Sequence, residues 1–217
     1  MSLAFDGPEQ LVGELLATST SDLLSLIDTW CAEHPGCVSP LGAREVDPLD
    51  RDELEAASRE NRPAFMFVDE EPLPPPHADI WVYGDPVVVR ANPRATPRLR
   101  VLTDDPDAPV VFPDGSRDRL ARTDQLRAAT WLVRGLRDRA RTYERVVREI
   151  VALRPEIATI HDPKAVSAVE LADLANGCAL DIETVRRSVS GLRFQTPVTV
   201  VAAVVAGDRL TFRRAIF

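Results

Sequence analysis

Residues 129–151 read ATWLVRGLRDRARTYERVVREIV, and the spacing of their apolar side chains decides how the rest of the chain is arranged. Trp131, Leu132, Leu136, Tyr143, Val146, Val147, Ile150 and Val151 fall largely three and four residues apart, the repeat that puts side chains on one face of an α-helix. Leu120 and Leu126 carry the pattern upstream, so one long helix, or two in succession, is expected over 118–154, closed by Arg154 and Pro155. The more polar side holds Arg127, Arg134, Arg137, Arg141, Arg145 and Arg148. Two readings of that side stay open: a solvated face balanced by Asp138, Glu144 and Glu149, or a surface that attracts phosphate.

Downstream, residues 167–190 read as two short helices with a tight join. Ser167 is placed to cap a helix over 168–177 whose inner face is Val169, Leu171, Leu174 and Ala175. Asp181 is placed to cap a second helix that turns Ile182, Val185 and Val189 inward and leaves Thr184, Arg186, Arg187, Ser188 and Ser190 outward. This is helix-turn-helix spacing, although many helical hairpins share it and Ala179 stands where a turn glycine is common. Residues 196–205 and 209–217 read as two strands joined at Gly207 and Asp208, a hairpin packed under the last helix.

Upstream the pattern is β. Ile80 to Tyr83 and Val87 to Val89 are short β-branched and aromatic runs with Gly84 and Asp85 at the turn, and Pro93 and Pro97 force an irregular path to Leu99 and Val101. Residues 104–115, rich in Asp and Pro, read as a surface loop. Pro72, Pro74, Pro75 and Pro76 make an extended connector near 62–77. Before it, a short helix at 51–58 follows a capping Asp50, and 11–32 suits one or two amphipathic helices broken near Ser19 to Ser21 and ended by His34, Pro35 and Gly36.

The 217 residues are 45% hydrophobic with a net charge of −8, ordinary for a globular chain and unlike a general nucleic-acid coat. The charge is uneven: residues 1–75 carry 16 acidic and 4 basic side chains, whereas 117–154 carry 11 arginines against 5 acids. No run approaches the roughly 20 apolar residues of a membrane span, and MSLAFDGPEQ is not a signal peptide, so the expected location is cytoplasmic. Cys31, Cys37 and Cys178 form no CxxC pair, and no metal or other cofactor is expected. Catalysis has no foothold either, for there is no phosphate loop, no GxGxxG, no GxSxG and no HExxH. His34, His77 and His161 lie beside prolines or aspartates and read as exposed side chains, and Asp69, Glu70 and Glu71 as solvated charge.

Three blocks in order resemble the sigma-54 family, sigma factors that need an ATP-driven activator to open promoters. Residues 79–101 carry Asn92, Pro97, Leu99 and Arg100 of a short β element; residues 129–151 carry Ala129, Trp131, Leu132, Arg139, Thr142 and Val146 of a long helix. Residues 171–197 carry Leu171, Leu174, Ala175, Thr184, Val185, Arg187 and the Gln195-Thr196-Pro197 triplet of a helix-turn-helix and its exit. The chain holds neither the family's glutamine-rich activator-responsive region nor its Ala-Arg-Arg-Thr-Val-Ala-Lys-Tyr box, and Glu183 and Arg186 replace serines of the recognition helix. The resemblance implies a mainly α fold with small β elements: an acidic helical subdomain at 1–62, a core-binding region with a β element and long helix at 63–155, and a helix-turn-helix domain with a β-hairpin at 156–217. It implies core RNA polymerase, promoter DNA and an ATP-dependent activator as partners, with Thr184, Arg186, Arg187, Ser188, Ser190 and Arg193 on DNA. Alternatives are an adaptor or competitor that binds polymerase without reading promoters, and an unrelated winged helix-turn-helix regulator.

Overall fold

The computed structural model describes residues 14–34, 37–40, 75–82, 87–101, 110–111 and 117–215. The expected helix at 51–58, Asp69, Glu70, Glu71, most of the 104–115 loop and nearly all of the proline-rich connector lie outside these residues.

A helical turn at 14–17 leads into helix α1 (Thr20–Glu33). The break expected near 19–21 is there because Ser19 is extended and caps α1, its hydroxyl oxygen accepting from the Asp22 amide at 3.2 Å. Strands β1 (Val38–Pro40) and β4 (Leu99–Val101) pair antiparallel, and between them β2 (Ala78–Val82) and β3 (Val87–Ala91) form the expected antiparallel pair. Strands β5 (Val110–Val111) and β6 (Arg117–Asp118) pair just before helix α2, Arg119–Leu153.

Helix α2 is one helix of 35 residues, about 52 Å long at 1.5 Å per residue. Its apolar face serves two cores in succession. Ala129, Leu132 and Leu136 pack with Leu15, Leu23, Ile27 and Trp30 from the amino-terminal helices and with Cys37 and Leu99. About two to four turns further on, Tyr143, Val146, Val147, Ile150 and Val151 pack into a larger core under the sheet. Ile150 is fully buried there, and Ile150→Ala would leave a cavity costing about 2–5 kcal/mol. At the end of α2 the Arg154 guanidinium donates to the Leu153 carbonyl at 2.7 Å and to the Ala168 carbonyl at 2.8 Å, satisfying a terminal carbonyl of the helix and tying it to the segment that follows.

After α2 come β7 (Val169–Glu170), α3 (Leu171–Cys178), α4 (Ile182–Val189), β8 (Arg193–Gln195), β9 (Val200–Ala206) and β10 (Arg209–Arg214). A six-stranded sheet runs β3-β2-β8-β9-β10-β7, with β2 and β8 parallel and every other pair antiparallel. The fold is therefore mixed α and β: the expected long helix and helical pair are present, but the β elements expected to be small join in one six-stranded sheet. An isolated hairpin is marginal in water. Here Phe194, Val201, Leu210 and Phe212 give the later strands a buried apolar face, and β8 extends it by taking β2 in register, Ala78 opposite Phe194. The sheet thus joins strands from either side of the expected division near residue 155.

Two further expectations change. Helix α3 begins at Leu171, not 168, because Val169 pairs with Leu210 in the sheet; Glu170, not Ser167, is the N-cap, and it makes no side-chain capping bond. His77 is buried rather than exposed, at 5%. Its Nδ1 accepts from the Arg193 amide at 3.2 Å, so the proton sits on Nε2, which faces the Thr20 hydroxyl at 3.3 Å. The ring also lies 4.6 Å from that of Tyr143, so one imidazole ties α1, α2 and β8 together. Burial, with the nearby Arg139 and Arg193 charges, lowers its pKa to about 4. His34 stacks on Trp30 at 4.3 Å, and His161 is exposed. No helix among the described residues is long and apolar enough to cross a membrane.

Candidate nucleic-acid interface

Helices α3 and α4 form a compact pair whose join is built from backbone. Ala179 takes the left-handed conformation at φ 44° and ψ 50°, doing without glycine what such turns usually ask of it. The turn holds because the Ala179 and Leu180 amides donate to the Asn176 and Ala175 carbonyls, each at 3.0 Å. Asp181 then caps α4, accepting from the Thr184 amide at 2.8 Å and from the Thr184 hydroxyl. Those bonds hold the Asp181 carboxyl below its ordinary pKa. Leu171, Leu174, Ala175, Cys178, Val185 and Val189 are buried against α2 and the sheet. Gly177 lies against Glu149 of α2, so that a Cβ there would have to displace the Glu149 carboxylate.

The outer side of α4 differs in detail from expectation. Arg187 is half exposed and its Nε donates to Glu183 at 3.3 Å. Arg186 reaches across to the β9–β10 turn, donating to the Gly207 carbonyl at 3.0 Å and to Asp208 at 2.8 Å. Ser190 is exposed and Thr184 half-buried. Ser188, expected outward, is fully buried, its hydroxyl donating to the Val185 carbonyl at 2.8 Å. Ile182, expected inward, is 44% exposed at the first turn. In a helix of only eight residues, a small shift of phase exchanges such neighbours. Arg193 lies in β8, half-buried, with its backbone bonded to His77.

The long helix shows a contrasting charge pattern. Arg127, Arg134, Arg137, Arg141, Arg145 and Arg148 are all exposed. Arg127 pairs with Asp124 at 3.2 Å and Arg141 stands 3.9 Å from Asp138, both on the surface. Spacings of three, four and seven residues line the six into one stripe of about 32 Å, which runs toward the α3–α4 pair. One arginine of α2 points the other way. Arg139 is fully buried between the two cores, its guanidinium 4.9 Å over the Tyr143 ring with none of its three nitrogens hydrogen-bonded. Burial lowers its pKa. The sequence signalled it only as a match to the family's long helix.

No group of three or more metal-ligating side chains lies together among the described residues. Cys37 and Cys178 are buried and Cys31 is half-buried. Burial, with Glu149 nearby, pushes the Cys178 thiol up to about 11.

Residues 120–203 match the family model described as the sigma-54 DNA binding domain. That span opens in α2, includes all six arginines of the stripe and both helices of the pair, and ends in β9. This segment is thereby similar to the DNA binding domain of sigma-54, a likeness that points to a role in transcription. No curated protein matches it.

Proposed function

We propose that this relative of the sigma-54 family is a transcription initiation factor that binds core RNA polymerase and contacts promoter DNA through α3 and α4. The observation that carries the reading is the arginine stripe of α2, open to solvent along the span that matches a DNA binding domain. Exposed guanidinium groups displace counterions from the phosphate backbone and hold the protein on DNA whatever its sequence, at a strength that falls steeply with salt.

Sequence reading falls to α4. Arg187 is the residue suited to bidentate bonding with guanine, and its present partner Glu183 is a surface ion pair worth about 1 kcal/mol or less, readily exchanged for a base. Arg186 has a second employment, since its bonds to Gly207 and Asp208 hold the hairpin turn beside the reading helix. The acidic residues 1–75 would be repelled by DNA and complement a basic surface of the polymerase. An ATP-dependent activator completes the set of partners that the family reading carries.

Arg187→Ala should weaken binding to a sigma-54-type promoter duplex ten- to a hundredfold, the equivalent of about 1–3 kcal/mol, while core-polymerase co-purification is unchanged. Fluorescence anisotropy with labelled duplex and a pull-down of the β and β′ subunits read the two arms. A second reading, an adaptor that binds polymerase without reading promoters, draws on the pairing of both α4 arginines with carboxylates. Polymerase capture without DNA binding at low salt would establish it in place of the first.

A further inference from the structure

A groove of about 380 Å³ lies between the segment joining β3 to β4 and the middle of α2. Arg90 and Arg98 line it from one side and Arg137 and Arg141 from the other. Arg98 and Arg137 make no ion pair among the described residues, and the carboxylate in the lining, Glu144, is engaged by the Ala91 amide at 2.8 Å. Thr96 also lines the groove. It is 3% exposed, and its hydroxyl is buried without any hydrogen-bond partner. A buried hydroxyl left unsatisfied costs stability, so Thr96, lining the groove with Arg98 and Arg137, is a donor in want of an oxyanion.

We propose that this groove seats a backbone phosphate of the DNA duplex, anchored by Thr96, Arg98 and Arg137. The proposal rests on the DNA-binding reading above and adds the contact that sets its register. A backbone phosphate fits better than a free anion because the groove does not stand alone. Arg137 and Arg141 continue along the same stripe into Arg145 and Arg148, so the positive charge extends from the groove toward the α3–α4 pair, as a polyanion would need. Arg and Thr are also side chains that position a duplex through its phosphates without reading its sequence. Neither Thr96 nor Arg98 was singled out from the sequence as a DNA contact. They sit in an irregular segment with no periodicity to mark it, and the groove exists only because that segment lies on α2.

The test uses the full chain and duplex DNA, with affinity measured by anisotropy from 50 to 300 mM salt. For the double variant Arg98→Gln/Arg137→Gln, the slope of log affinity against log salt should fall by about 1, equally for specific and unrelated duplexes. Thr96→Val keeps the shape of the side chain and removes the hydroxyl. It should weaken binding about tenfold and leave the slope unchanged, because a neutral hydroxyl releases no counterion. Thermal melts confirm that each variant is folded. Wild-type DNA binding with an unaltered affinity and slope in these variants overturns the groove and leaves the α4 reading standing. Absence of wild-type DNA binding at any salt overturns both. Inorganic phosphate that binds the groove without displacing DNA would assign it to a free anion, and loss of polymerase capture alone would assign it to a protein carboxylate; either result overturns the proposal.

Discussion

Helices α2 and α4 both carry arginines on their outer sides, and the two sets are not equivalent. Along α2 the guanidinium groups of Arg134, Arg137, Arg145 and Arg148 are exposed and absent from the ion pairs among the described residues. On α4, Arg186 and Arg187 are each held by a carboxylate, and Arg186 also bonds to a carbonyl in the hairpin turn. Arg139 gives a third condition, a charge with neither solvent nor partner, facing an aromatic ring. Formal charge along a sequence therefore says little about available charge. What counts is whether a donor's hydrogen-bonding capacity is already spent, and that depends on which segments are folded against it.

The sharpest way to break the comparison is to remove the open set. Replacing Arg134, Arg137, Arg145 and Arg148 by Gln should reduce the salt slope of DNA binding by about 3 to 4 and lower affinity by orders of magnitude, without changing preference among sequences. Equal loss from Arg186→Gln alone, measured in the same titration, would show that the tied set carries the non-specific attraction instead.

The next effects concern the buried junction that holds the two halves of α2 to their cores. His77, with its pKa lowered to about 4 from 6.5, favours the folded state above pH 6.5, and that contribution is lost as pH falls from 6.5 to 4. Asp79 behaves oppositely. Burial raises its pKa to about 6 from 3.8, so it favours the folded state below pH 3.8, and that contribution is lost as pH rises through 6. Each amounts to about 3 kcal/mol and the windows overlap, so the wild-type denaturation midpoint should be nearly flat between pH 4 and 6. His77→Gln should become more stable as pH falls across that window and Asp79→Asn less stable, as urea titrations would read. Matching pH slopes in the two variants would contradict the assignment.

Arg139→Met removes a buried charge that has no hydrogen bond and keeps an unbranched apolar stem, so the chain should gain about 1 kcal/mol or more in urea stability. A loss of several kcal/mol would show that its contact with Tyr143 outweighs the cost of desolvation. The smallest effect belongs to the surface tie between α4 and the hairpin. A double-mutant cycle on Arg186→Gln and Asp208→Asn should give a coupling of about 1 kcal/mol or less, declining with salt.

Local pattern was enough to find most helices and several strands. The three- and four-residue spacing over 129–151, the Asp181 cap and the turn at Gly207 and Asp208 are matters of short-range periodicity and hydrogen bonding, and the structure keeps each of them. The six arginines assigned to the polar side of α2 also lie where a 3.6-residue repeat puts them. Ser167 and His77 depart from expectation because each answers to a partner outside its own segment, β10 pairing with Val169 and the Arg193 amide across the sheet. Ser188 and Ile182 depart because a small shift of phase within the short α4 exchanges their sides.

From its order of residues alone, this chain determined a long amphipathic helix with a basic back and a capped helical pair following it, because both arise from interactions within a few residues of each other. Only the tertiary structure decided that the β segments before and after the long helix form one sheet, that Arg186 is tied while the α2 stripe is open, and that Thr96 and Arg98 face Arg137 across a groove. These join residues 22 to 116 positions apart in the chain, and no local spacing records a contact made across such a distance.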